Sequence, residues 1–226
     1  MKSPRFDAAL FDCDGVLVDS EAITNGVLHE MLVERGWTAL TAQDCMRIFI
    51  GRAVKDQREL IERNTGQPLT EQWLADFRER RNLRLARTLL AIEGAVDAVA
   101  EVHALTGGRI ACASGADRGK VELQLRKCGL LPFFEGRVFS GHELPRSKPA
   151  PDVYLAAAAA LGVDPGRCVV IEDTVVGVTA GVAAGCTVFG YSPPEAGHDA
   201  PQPLLDAGAE RVFTRMSQLP ALVRGD

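Results

Sequence analysis

The sequence predicts an α/β fold, a parallel sheet covered by helices on both faces and interrupted by one all-helical insertion. Three observations carry that reading. Short, continuously apolar runs alternate with segments of helical periodicity. The stretch from about Ser20 to Leu90 contains no strand-like run at all. The apolar runs end in acids, hydroxyls or glycine, as strands do where a parallel sheet gathers its polar groups at one edge.

Four apolar runs are well marked, at Ala8–Phe11, Arg109–Ala113, Cys168–Ile171 and Thr187–Phe189, and a weaker one lies at Arg137–Phe139. They are apolar throughout instead of alternating, so both sides of each strand are expected to be covered. Between them, Gly94–Leu105, Arg118–Cys128, Pro151–Leu161 and Gly177–Ala184 repeat at helical spacing. Strand followed by helix, over and over, is the pattern of a parallel sheet. The insertion has helical clusters such as Val27, Leu28, Met31 and Leu32, then Trp73, Leu74 and Phe77. Its ends fall near Asp19 and Ala91, and Ile92-Glu93-Gly94 reads as the return linker. The expected domains are therefore 1–18 with 92–226, and 19–91.

The composition of this 226-residue chain is ordinary for a globular enzyme, 46% hydrophobic and 24% charged. A formal net charge of −5 argues against a general nucleic-acid surface. The six cysteines (Cys13, Cys45, Cys112, Cys128, Cys168 and Cys186) form no C-x-x-C pair. Several sit in or beside the apolar runs, where a thiol packs as a small hydrophobe and suits a reducing compartment. The longest apolar run, Leu155–Val163, is nine residues and mostly alanine, too short for a membrane span. Met1–Ala9 does not read as a signal peptide. A cytoplasmic protein without a membrane partner is expected, with a monomer as the default.

Four segments carry chemistry. The first is Phe11-Asp12-Cys13-Asp14-Gly15. Positions i and i+2 of an extended strand share a face, so Asp12 and Asp14 are directed into one crevice unless the glycine turn redirects the second. Two close carboxylates repel, and a hard divalent cation such as Mg²⁺ is the natural relief; the plainer reading is a strand-end turn whose carboxylates are solvated. The second is the strand end Ala113-Ser114-Gly115-Ala116, where a hydroxyl and backbone N–H groups precede a helix and suit an anion. Ser114 as a simple helix cap is the plainer reading. The third, Ser147-Lys148-Pro149-Ala150-Pro151-Asp152, holds a lysine on a proline-stiffened turn, a point charge for a phosphate oxygen or else a solvated surface group. The fourth, Ile171-Glu172-Asp173-Thr174, places two acids at a strand tip, where they complete a metal shell or merely favour a helix N-terminus. All four fall at strand ends, where open parallel sheets bind ligands.

Taken in order, these segments resemble the four motifs of haloacid dehalogenase-type phosphohydrolases, over nearly the whole chain. That resemblance implies a Rossmann-like parallel-sheet core carrying an inserted helical cap, as in the β-phosphoglucomutase and phosphoglycolate phosphatase branch. Ile92-Glu93-Gly94-Ala95, Phe139-Ser140-Gly141 and Ser217-Gln218-Leu219-Pro220 are similar to stretches of bacterial 6-phosphogluconate phosphatases. By resemblance, Asp12 is the nucleophile that becomes an aspartyl-phosphate, and Asp14 is the general acid and base. Mg²⁺ is held by Asp12, the Asp14 main-chain carbonyl and Asp173, with Glu172 either a direct ligand or one layer behind. Ser114, Gly115, Ala116 and Lys148 bind the phosphoryl oxygens. The implied partner is a small phosphorylated metabolite. In the cap, Arg52 and Lys55 are candidates for a substrate carboxylate or hydroxyl. A phosphomutase is the alternative, but β-phosphoglucomutases have a histidine twelve residues after the nucleophile, where this chain has Thr24. A 2-haloacid dehalogenase fits poorly with Asp14 and the Glu172–Asp173 pair. A non-catalytic module that kept the fold is expected to have lost Asp12, Asp14 or Lys148.

Overall fold

The structure is a computed structural model that describes residues 5–50, 52, 54–194 and 199–225. Its sheet has six strands, β1 (Ala8–Phe11), β2 (Ile110–Ser114), β3 (Val138–Ser140), β4 (Cys168–Glu172), β5 (Thr187–Tyr191) and β6 (Arg211–Phe213). All are parallel, in the order β3-β2-β1-β4-β5-β6. β1 is central, with Leu10 level with Ala111 on one side and Val170 on the other. Every residue of β1, β2 and β4 is buried, which is why these strands read as unbroken apolar runs. β6 was not legible in the sequence. It is a three-residue edge strand that begins with the exposed Arg211, so it has no apolar run of its own, and pairing to β5 defines it.

The chain divides into two compact units, residues 1–18 with 90–226, and residues 19–89. Among its described residues the second unit contains four α-helices, α1 (Glu21–Glu34), α2 (Ala42–Phe49), α3 (Arg58–Thr65) and α4 (Glu71–Thr88), and a short 3-10 helix at Val54–Gln57. Thr41 and Thr70 cap α2 and α4 by accepting from the backbone N–H of Asp44 and Trp73. Val27, Leu28, Met31 and Leu32 of α1 share a core with Cys45, Phe49, Ile61, Leu74 and Phe77. Within the sheet unit, the chain leaves at Val18 and returns at Ala91, and those two residues form an antiparallel bridge. An insertion whose ends already touch leaves the sheet undisturbed.

The sheet unit adds α5 (Ala95–Leu105), α6 (Arg118–Lys127), α7 (Leu131–Phe134), α8 (Asp152–Leu161), α9 (Val175–Ala183), α10 (Pro201–Asp206) and α11 (Leu219–Arg224). Ala8 and Leu10 of β1 pack with Tyr154 and Ala157 of α8 and Val178 of α9 in one core cluster. Phe11, one position out of step, instead meets Phe134 of α7 edge-on, ring centres 5.8 Å apart. That alternation is the two-residue period of a strand with helices on both faces. Five cysteines are buried free thiols and Cys128 is half-buried. No helix among the described residues is long and apolar enough to cross a membrane.

Candidate active site

β1 delivers the first acid. The backbone N–H of Asp12 still donates to the Ile171 carbonyl at 3.0 Å, continuing the ladder beyond Phe11. Its side chain is buried, 7% exposed by residue. The chain then turns through Gly15 at φ +78°, a conformation that disfavours any side chain. A Cβ there would also lie 2.1 Å from Asp173 Oδ2, so the glycine leaves room for the Asp173 carboxylate against the turn. The spacing Asp12-x-Asp14-Gly15 is thus matched to an acid arriving from β4.

Lys148 reaches the same place from the loop before α8, after which the Lys148–Pro149 peptide is cis. Its Nζ donates to Asp12 Oδ1 at 2.5 Å, to Glu172 Oε1 at 2.7 Å and to the Ala113 carbonyl at 2.9 Å. An ammonium has three donors, and all three are used. Burial alone would lower the Lys148 pKa, but Asp12 and Glu172 raise it well above the ordinary lysine value and hold the group cationic. Burial works against charge on Asp12, Lys148 works for it, and Glu172, Asp173 and Asp14 add to the repulsion.

Glu172 is 1% exposed and fully engaged. Oε1 accepts from Lys148 and from the Tyr154 hydroxyl at 2.7 Å. Oε2 accepts from the backbone N–H of Asp173 and Thr174 and from the Thr174 hydroxyl, at 3.1–3.2 Å. Of the two roles open to Glu172, these contacts fit the one behind the site, as the anchor of Lys148. Gly177 makes room for it, since a Cβ there would lie 1.8 Å from Glu172 Oε1.

Ser114, at the end of β2, follows the Ala113 whose carbonyl Lys148 holds. Its Oγ accepts from the Ala116 N–H at 3.1 Å, and Ser140 donates to the Ala116 carbonyl at 2.6 Å. Ser114, Gly115 and Ala116 therefore form a turn pinned by two serines, one strand over from Asp12. Asp12, Asp14, Lys148, Glu172 and Asp173 meet at the C-terminal edge of the sheet. Arg52 and Lys55 belong to the helical unit, where both are exposed.

Sequence reasoning missed four contributors: Lys120, Gln124, Tyr154 and Thr174. Lys120 and Gln124 each donate to Asp14 Oδ1 at 2.8 Å. Their signal was available: two polar residues four apart on α6, in register with the apolar Val121 and Leu125 and so on the buried face.

The donor set fits a hard divalent cation. Asp12, Asp173 and the Asp14 carbonyl offer oxygen alone, and three carboxylates crowd Asp12 against one contacting ammonium. Among the described residues no group of three acidic, histidine or cysteine side chains is arranged to hold a metal ion.

A profile of haloacid dehalogenase-like hydrolases matches residues 6–185. The chain belongs to that family. It is 30% identical over 219 residues to the 6-phosphogluconate phosphatase of Escherichia coli K12, covering 96% of this chain and 95% of that one. Among solved structures it is similar to a family hydrolase of Deinococcus radiodurans with bound phosphate and sodium, 36% identical at a TM-score of 0.79, covering 98% and 96% of the two chains. A haloacid dehalogenase-like protein of Agrobacterium tumefaciens is 34% identical at a TM-score of 0.80, covering 97% and 98%. The protein is an enzyme of the phosphatase class, a phosphoric monoester hydrolase.

Proposed function

We propose that the enzyme is a Mg²⁺-dependent phosphatase of a small sugar-phosphate-like monoester, working through an aspartyl-phosphate on Asp12. The observation that carries this reading is the buried Asp12 carboxylate at the sheet edge, held by a lysine that Glu172 anchors, with Asp14 two residues on. Lys148 fixes Oδ1 of Asp12 and so orients the carboxylate towards phosphorus. As the Asp12–phosphorus bond forms, the bond from phosphorus to the ester oxygen breaks, and Asp14 gives that oxygen its proton. Asp14 then takes a proton from the water that cleaves the acyl phosphate, releasing phosphate and restoring both acids. The Ser114 hydroxyl and the Gly115 N–H bind the phosphoryl oxygens, with Lys148 adding charge at the same point, while the Ala116 N–H is already taken by Ser114 Oγ and shapes the turn instead. Asp12, Asp173 and the Asp14 carbonyl would hold Mg²⁺, which would neutralise charge at the transferring group. The helical unit acts as a cap, in which Arg52 and Lys55 face a substrate carboxylate or hydroxyl, as 6-phosphogluconate would offer. Thr24, in place of the histidine that the mutase resemblance implies, favours hydrolysis over phosphomutase action.

The test is phosphate release from sugar phosphates, 6-phosphogluconate, phosphoglycolate and nucleotides, with Mg²⁺ and with chelator. Wild type should release phosphate only with metal, and Asp12→Asn should lose at least about 1,000-fold, as nucleophile removal does. Metal-independent release, or an active Asp12→Asn, would sink the reading. Isomerisation of β-glucose 1-phosphate with a bisphosphate primer, without net hydrolysis, would replace it with the mutase.

A further inference from the structure

We propose that Lys120 and Gln124 are positioning residues for Asp14, fixing the carboxylate that exchanges a proton with the leaving group. This rests on the reading of Asp14 as acid and base. Neither residue lies in any of the four motifs, and both come from a helix that supplies no other group to the site.

The geometry is specific. Lys120 and Gln124 are one helical turn apart, and both donate at 2.8 Å to the same oxygen, Asp14 Oδ1. Lys120 is 6% exposed and Gln124 is fully buried. A buried lysine forgoes hydration and rotamer freedom, and lysines are almost never found inside without a partner. Each donor is aimed from behind. Asp117 caps α6 by accepting from the Lys120 backbone N–H at 2.9 Å, which sets the start of the helix. Cys13, between the two acids, donates its thiol to Gln124 Oε1 at 3.5 Å, so the amide presents Nε2 to Asp14.

Asp14 needs such support. Asp12 is held by the sheet ladder and by Lys148, whereas Asp14 lies beyond the strand on the glycine turn. Two donors converging on one oxygen restrain the rotation of its carboxylate. Proton transfer to an ester oxygen depends on that placement, and misplacement of a catalytic group by about 1 Å can cost roughly 100-fold.

A merely structural ion pair would affect all substrates alike, and leaving-group dependence separates the two. p-Nitrophenolate departs without a proton, while the alkoxide of a sugar phosphate does not. The full-length enzyme, as wild type, Lys120→Met, Lys120→Arg, Gln124→Met and Asp14→Asn, is assayed with Mg²⁺ on p-nitrophenyl phosphate and on its best alkyl phosphate. The value compared is kcat/KM, which reports steps up to leaving-group departure. In Lys120→Met the alkyl value should fall roughly 100-fold further than the aryl value, in line with the contribution of general acids. Gln124→Met should show the same bias more weakly, and Lys120→Arg should restore part of it. A parallel fall on both substrates, or no fall, overturns the proposal. Should Lys120→Met not fold, the near-isosteric Gln124→Met decides. If Asp14→Asn shows no leaving-group bias, the acid–base reading itself fails and the positioning role falls with it. If Asp14→Asn is biased and neither Lys120 nor Gln124 variants are, the positioning role alone fails.

Discussion

The α1–α4 surface of the helical unit and the strand-end cluster of the sheet unit hold their charges in opposite ways, although the sheet unit also has exposed pairs such as Arg167 with Asp7. In the helical unit, arginines of α4 pair with glutamates of α1 across the surface, Arg80 with Glu34 at 2.8 Å and Arg84 with Glu30 at 3.0 Å, and all four side chains are about half exposed. In the sheet unit, Lys120 and Lys148 are less than a tenth exposed, yet they meet Asp14, Asp12 and Glu172 at 2.5–2.8 Å. The Coulomb distances are similar, but the surroundings are not. Water weakens the surface pairs to about 0–1 kcal/mol. Inside the sheet unit the desolvation cost is several kcal/mol per ion, offset only when every donor and acceptor is matched. A fold gains little stability from such a cluster, so its presence at the sheet edge points to chemistry.

The comparison can be broken most sharply at Glu172, which accepts from Lys148, Tyr154, Asp173 and Thr174. Glu172→Gln removes the charge facing Lys148 and turns an amide N–H₂ towards donors. It should cost about 3–5 kcal/mol in urea unfolding, as breaking a buried pair does. A loss as small as that of a surface pair would mean the cluster is not shielded from water.

Gly177→Ala tests the same cluster through its packing. In an ordinary helix this change stabilises by up to about 1 kcal/mol. Here the new methyl would occupy the space of the Glu172 carboxylate, so the sign should reverse, with a loss of roughly 1–3 kcal/mol and a fall in phosphatase activity. A stabilised, fully active Gly177→Ala enzyme would refute the close approach of α9 to Glu172.

The smallest effect is expected in the helical unit. Arg80→Ala and Arg84→Ala should each change unfolding free energy by less than about 1 kcal/mol, and the difference should shrink further at high salt. A larger, salt-independent loss would show that these pairs are held more firmly than their exposure suggests.

Much of this was legible along the chain. The runs at Ala8–Phe11 and Cys168–Ile171 are strands because a continuous apolar stretch must be buried on both sides, and a parallel sheet does that. Asp12, Asp14, Ser114, Glu172 and Asp173 could be placed at strand ends because each falls within three residues after such a run, a local relation that sequence records. Tertiary structure decided the rest. Lys120 reaches Asp14 across 106 positions and Lys148 reaches Asp12 across 136, and β6 exists only through its pairing with β5. A lysine on a helix face reads as solvated until the fold brings a carboxylate to it and removes the water. Which charges are surface decoration and which are machinery is set by burial, a property of the assembled chain.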